Sequence, residues 1–238
     1  MFKDPIWIGS PIDVRYADAA LSALDKENDV RYWDEYTGIT KIDRQRWEKA
    51  QEYELTTWMT YNTNTTSDRD AEHAELFDNY NMVPADLGDV LEIGCGPFTQ
   101  TRSILVGRSA ASITLLDPLL DEYLKHPYCS YNQLVPTPTL ICSPAEEFDL
   151  ATQFDTIICI NVLEHVCNVG VIFNNIYRAL RPGGIIIMGE RVYDDLDITK
   201  LYDVGHPIRI KSMVLDRFRQ QFTTLYSNGS YFIARKQP

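Results

Sequence analysis

From residue 89 onward, short runs of aliphatic and β-branched residues alternate with stretches whose apolar positions recur every three or four residues. The runs are "DVLEI", "SITLLD", "TLIC", "FDTIICI" and "GGIIIMGERV", and between them "FTQTRSILVG", "PLLDEYLK" and "VGVIFNNIYRALR" read as crossover helices. This alternation predicts βαβ units, an α/β fold with a mostly parallel sheet covered by helices on both faces. "RPGG", Arg181 to Gly184, should stop the last crossover helix, because proline and glycine both resist helix continuation. Runs near "FTTLY" and "GSYFIARK" would add an antiparallel pair at the sheet edge.

The texture differs before residue 88, where strands are hard to find. "IDRQRWEKAQEYELTTWMTY" places Trp47, Ala50, Leu55, Trp58 and Met59 at mostly helical spacing with charges between them, predicting an amphipathic helix. After the polar linker "NTNTTS", Ser67 and Asp70 form a capping box for a second helix carrying Ala71, Ala74, Phe77 and Tyr80. The expected division is a helical segment over 1–87 and a main domain over 88–238. The aromatic stripe fits packing against the main domain or a lid closing over a substrate. Residues 1–40 carry no clear pattern.

Ligands of such open sheets sit beyond the carboxyl ends of the strands, at the topological switch point. The first run leads into "GCGPFTQ". A dinucleotide fingerprint needs a third glycine, but Gly94 and Gly96 are followed by Thr99. A phosphate-cradling loop needs Gly-Lys-Ser or Gly-Lys-Thr, which the chain lacks here. Glu92, two residues before Gly94, sets a carboxylate where a phosphate is poorly tolerated and a cationic amino acid or sulfonium is welcome. Asp117 closes the second run 23 residues after Gly94, where an acidic side chain accepts hydrogen bonds from the ribose diol of an adenosine-containing ligand. Desolvated hydrogen bonds to a charged acceptor are worth ~1.5–3 kcal/mol each. Jointly these residues point to a positively charged adenosyl ligand.

Composition narrows the partners. Asp and Glu number 34 against 22 Lys and Arg, a formal charge of -12 over 238 residues with no basic run, which disfavours nucleic acid. Cys95, Cys129, Cys142, Cys159 and Cys167 are scattered, odd in number and form no C-x-x-C pair, as expected for reduced, mostly buried residues of a cytoplasmic protein. No run approaches a signal peptide or the ~20 apolar residues of a bilayer span, so a soluble chain without membrane insertion is expected. The N-x-[ST] matches at Asn64 and Asn228 read as chance.

In order along the chain, "VLEIGCGPFTQ", "LLDP", "SPAEEFDL", "FDTIICINVLEHV" and "RALRPGG" resemble the successive motifs of class I S-adenosylmethionine-dependent methyltransferases, particularly the broad group that includes ubiquinone- and menaquinone-biosynthesis enzymes. The resemblance covers residues 88 to 192. It implies a Rossmann-like seven-stranded sheet and S-adenosylmethionine as cofactor, released as S-adenosylhomocysteine. It assigns Glu92, Gly94, Cys95 and Gly96 to the methionine side, Asp117 and Pro118 to the ribose, Ala145 and Glu146 to the adenine, and Asn161, Val162 and Leu163 to the wall after the fourth strand. Pro144 stands where many members carry an acidic residue, leaving the adenine amine to main-chain groups or Glu146. "YDVGHPIRI" and "RWEKAQEYELTTW" are similar, more weakly, to methyltransferases found with glycan-assembly enzymes.

Methyl transfer to a hydroxyl needs a nucleophile aligned behind the activated carbon and a group that removes its proton. The candidates are His165 in "VLEHV", His206 in "GHPIR" and Glu190, with Arg191, at the end of "IIIMGER"; His165 could equally hold its loop, and Glu190 and Arg191 could equally form a strand-end ion pair. His73 and His126 read as surface residues. No metal is expected: Asp194, Asp195 and Asp197 resemble a metal run, but a solvated acidic loop explains them equally and Asn161 stands where a first metal carboxylate would be needed. The expected reaction is O-methylation of a small-molecule or sugar/glycan acceptor. Carbon or nitrogen methylation stays open, as do a nicotinamide-dependent reductase or epimerase, a non-catalytic partner subunit that binds the cofactor, and assembly as a homodimer.

Overall fold

The computed structural model describes residues 31–60, 72–148, 153–195 and 203–238; Ser67, Asp70, Asn64 and Asp197 lie outside them. Two short strands, β1 (Trp33–Asp34) and β2 (Gly38–Ile39), precede helix α1 (Arg44–Thr60). Asp43 starts α1 by accepting the Arg46 amide at 2.8 Å. A helical stretch follows over 72–76. Then come β3 (Asp89–Ile93), α2 (Thr101–Ile104), β4 (Ser112–Asp117), α3 (Leu120–Tyr123), β5 (Thr139–Cys142), β6 (Phe154–Ile160), α4 (Val169–Ala179), β7 (Leu180–Gly189), β8 (Arg209–Ile210), α5 (Ser212–Arg219), β9 (Phe222–Asn228) and β10 (Tyr231–Lys236).

The main sheet has seven strands in the order β5-β4-β3-β6-β7-β10-β9. β3 to β7 pair in parallel, and β10 pairs antiparallel with both β7 and β9 at the expected edge. The unbroken apolar runs of β6 and β7 arise because both faces are buried, so successive side chains enter different cores. Ile157, Cys159, Ile186 and Met188 join the core under α4, whereas Ile158, Ile160, Ile185 and Ile187 pack with Phe77, Tyr80 and Leu87. α4 presents Val169, Ile172, Ile176 and Ala179 to the first of these, and Asn168 caps it by accepting the amides of Gly170 and Val171.

Two crossover helices are shorter than the sequence pattern predicts. α2 and α3 hold one turn each. "RPGG" already belongs to β7, α4 having ended at Ala179. A second, small sheet of order β1-β2-β8 ties residues before 40 to the segment around residue 209. Around it, Ile42 donates to the Cys167 carbonyl and Val169 to that of Thr40, at 3.0 Å each. The buried Arg46 of α1 donates to the carbonyls of Asp203 and Val204, both at 2.8 Å. Among the described residues no helix is long and apolar enough to cross a membrane.

Candidate active site

The strand order reverses between β3 and β6, and the carboxyl ends of β3, β4 and β6 open into one cleft, the place where open sheets of this kind bind their ligands. At its floor the β3–α2 turn doubles back. Gly94 has φ +64°, and a Cβ there would meet Val162 Cγ2 at 2.6 Å; Gly96 has φ +52°, with nothing within 4 Å of where its Cβ would be. The turn thus brings backbone to the cleft wall at one glycine and leaves open space at the other, the cradle an incoming ligand requires.

Two carboxylates hold this turn. Glu92 is buried; its Oε1 accepts the Gln100 amide at 2.8 Å, and its Oε2 accepts the Thr101 amide, the Thr101 hydroxyl and, in a short contact, the Thr99 hydroxyl. Both oxygens therefore serve the turn itself, a different employment from the open carboxylate read from the sequence, although the residue lines the cleft. Asp117 Oδ2 accepts the Gly96 amide at 3.0 Å and Oδ1 the Leu119 amide at 2.8 Å. Burial raises Asp117 to about 6, assisted by Glu54 and Glu92 and opposed by the two amides. Each Asp117 oxygen accepts one backbone amide and keeps a further lone pair, which is the capacity a ribose diol uses.

The far wall combines β5 and β6. Ser143, Pro144, Ala145 and Glu146 line the cleft together with Asn161, Val162 and His165. Asn175 donates to the Ala145 carbonyl at 2.9 Å, and Glu146 Oε1 accepts the Cys167 and Asn168 amides at 2.7 and 3.0 Å, so Glu146 braces the loop entering α4. Cys95 lines the floor beside Tyr131, and Pro118 lines the β4 end.

The cleft is covered by α1. Trp47, Gln51, Glu54 and Trp58, spaced four, three and four residues apart, line it on one helical face. Three of them converge on His165: Trp47 Nε1 and Gln51 Nε2 donate to its carbonyl at 2.9 and 3.0 Å, and Glu54 Oε2 lies 3.8 Å from its Nδ1. Gly205 O accepts from the same Nδ1 at 3.1 Å. A carbonyl only accepts, so in the neutral ring the proton resides on Nδ1 and the lone pair on Nε2.

Three sequence-based assignments need correction. Leu163 is 1% exposed, belongs to the hydrophobic core and is not a lining residue. Glu190 is fully buried and turned away from the cleft, accepting the amides of Val162 and Leu163 at 3.1 Å. Arg191 makes no ion pair with it and lies over the Tyr193 ring. His206 stands behind His165, ring centroids 4.8 Å apart, rather than on the cleft surface. Burial would lower its pKa, but Glu164, Asp203 at 2.5 Å and Glu54 outweigh this and raise it to about 9, so it is an imidazolium at neutral pH. Against expectation, His73 and His126 are buried; His73 lines the cleft and His126 packs edge-on to Phe98.

Asp194 caps α5 by accepting the Ser212 amide, so the acidic run supplies a helix cap. Among the described residues, the group able to hold a metal is Glu164, His165 and His206, with ligand atoms within 4.8 Å of one another. Glu164 already accepts the Tyr193 hydroxyl in a short contact and His206 is paired with Asp203; an ion there would have to displace the His206 proton.

The buried Glu190 yields a direct prediction. Glu190→Ala strands the Val162 and Leu163 amides and is expected to cost about 2–4 kcal/mol in urea unfolding. Glu190→Gln keeps an acceptor oxygen and should cost under about 1.5 kcal/mol.

Residues 91–188 match a family model described as a methyltransferase domain. The chain is 31% identical over 111 residues to a ubiquinone biosynthesis O-methyltransferase of Rickettsia bellii (strain OSU 85-389), covering 46% of this chain and 44% of that protein. It is 28% identical over 105 residues to the protein of that name from Bradyrhizobium sp. (strain ORS 278), covering 42% and 38%. The chain therefore spans less than half the length of the curated relatives it matches. Among solved structures, a DhpI complex with S-adenosylhomocysteine superposes with TM-score 0.60 at 17% identity, over 82% of this chain and 98% of that one. The N-methyltransferase NodS from Bradyrhizobium japonicum WM9, with S-adenosylhomocysteine, gives 0.58 at 16%, over 81% and 99%. These likenesses establish the shared fold.

Proposed function

We propose that this chain, which carries a class I S-adenosylmethionine-dependent methyltransferase domain, methylates a hydroxyl of a small-molecule acceptor, with His165 as the base. When bound, S-adenosylmethionine supplies an electrophilic methyl group. The β3–α2 turn with Gly94 and Gly96 would hold its methionine end, Asp117 its ribose, and the Ala145–Glu146 wall its adenine. The observation that carries the reading is the convergence of cradle, carboxylate and His165 in one cleft. His165 Nε2, its tautomer fixed by the Gly205 carbonyl, takes the proton of the acceptor hydroxyl as that oxygen attacks. α1 keeps water from the reacting groups. The names of the curated relatives support a quinol-type hydroxyl as the first acceptor to assay, and nothing in them supports a sugar or glycan.

Calorimetric titration with S-adenosylhomocysteine tests the cofactor half. Ribose hydroxyls donate to the ionised Asp117, and its pKa of about 6 sets the window. Affinity should rise about tenfold from pH 5 to pH 7.5 and then level off. Asp117→Asn should bind weakly and lose this dependence. Folding without ligand carries the opposite sign: the raised pKa contributes stability that is complete below the unfolded value near 4 and is lost as pH rises through about 6. Flat affinity in the parent protein would remove Asp117 from the ligand.

A further inference from the structure

Glu54 stands apart from the other carboxylates of the cleft. Glu92 is engaged through both oxygens by donors of its own turn, Glu146 braces the Cys167 and Asn168 amides through Oε1, and each oxygen of Asp117 accepts a backbone amide. Glu54 Oε1 accepts Trp58 Nε1 at 2.5 Å, which fixes the carboxylate on the inner face of α1. Its Oε2 accepts no hydrogen bond among the described residues and lies at 3.8 Å from His165 Nδ1. The Glu54 side chain is 14% exposed, and its charge reaches both Asp117 and His206. It therefore lies between the ribose carboxylate and the histidine pair, where an acceptor must enter, with Trp47, Trp58 and Phe98 as apolar walls. Among the described lining residues there is no lysine or arginine.

Building on the methyl-transfer reading, we infer that Glu54 is the acceptor-selecting residue, accepting a hydrogen bond from a neutral or cationic acceptor and excluding acceptors that carry a phosphate or carboxylate beside the reacting group. A second anion in this desolvated space would face Glu54 and Asp117 with no lining lysine or arginine to neutralise it, the His206 imidazolium lying behind His165 and being paired with Asp203. A neutral donor instead satisfies Glu54 Oε2, the open carboxylate oxygen on the α1 face, and its ring or chain packs on the aromatic walls.

The test uses matched pairs as probes: methyl glucoside against glucose 6-phosphate, catechol against 3,4-dihydroxybenzoate, and ethanolamine against phosphoethanolamine. Transfer from methyl-labelled S-adenosylmethionine is measured for the parent protein, Glu54→Gln and Glu54→Lys. Turnover should favour the uncharged or cationic member of a pair by about tenfold or more. Glu54→Gln should lower kcat/KM for that member about tenfold, and Glu54→Lys should reverse the preference. Where no pair turns over, quenching of the cleft tryptophans reads binding of the same probes. Equal handling of both members, an unchanged preference in Glu54→Lys, or binding of neither member at millimolar concentration overturns the inference. Titration of each variant with S-adenosylhomocysteine is the separating control: intact cofactor binding with lost selectivity concerns Glu54, whereas loss of cofactor binding in the parent protein concerns the methyltransferase reading itself.

Discussion

Gly94→Ala is expected to abolish binding of S-adenosylhomocysteine and to destabilise the fold by about 2–4 kcal/mol. Two costs coincide at this position. The backbone has φ +64°, and the new methyl would approach Val162 Cγ2 to 2.6 Å and Cγ1 to 2.8 Å. Val162 cannot yield readily, because its amide is held by the fully buried Glu190 and its neighbour Asn161 already sits at φ +58° with its amide bonded to the Gly189 carbonyl. Relief must come from the turn, which would carry the Gly94 amide off the Leu116 carbonyl, 2.7 Å away, and disturb the Gly96 amide on Asp117. Gly96→Ala provides the contrast. It meets no atom within 4 Å, so only left-handed strain of about 1 kcal/mol is added, and the variant should stay folded while its new methyl occupies ligand space. Thermal unfolding and calorimetry on the two variants separate these outcomes. A Gly94→Ala protein that binds like the parent would show that the turn does not approach the ligand.

The same contacts explain what the sequence disclosed and what it hid. The central parallel strands β3, β6 and β7 were legible because burial on both faces forces unbroken aliphatic runs, as in "FDTIICI", where alternate residues enter separate cores, whereas β5 is a mostly exposed edge strand. The glycine turn and Asp117 were legible because their spacing is imposed by one short connection. The cleft face of α1 was half hidden. A search for apolar periodicity picks out Ala50 and Leu55, whereas the face over the cleft is Trp47, Gln51, Glu54 and Trp58, polar in its middle because it meets ligand and the His165 carbonyl rather than core. Spacing of 47, 51, 54 and 58 was available as a signal only if polar residues were counted with the tryptophans. Glu190 was misplaced because its partners, the amides of Val162 and Leu163, lie 28 and 27 residues away, beyond any local pattern. Strands β1, β2 and β8 are two residues long, too short for a period of two to register.

His165→Gln is expected to lower turnover by about 10²–10⁴-fold while S-adenosylhomocysteine affinity stays within about threefold of the parent. The residue serves two functions that the substitution separates. Its carbonyl receives Trp47 and Gln51 and so docks α1; that bond belongs to the backbone and survives. Its ring supplies Nε2, and a glutamine amide cannot take a proton at neutral pH. The split between kinetic constants gives the readout that a structural role would not move: kcat should fall while KM for the acceptor and cofactor affinity hold. Trp47→Phe tests the other function. It deletes the 2.9 Å bond to the His165 carbonyl, and loosening of the lid should raise KM for the acceptor more than it lowers kcat. If His165→Gln retained turnover, the proton would have to leave through another group, and His73, the other histidine lining the cleft among the described residues, would take the assignment.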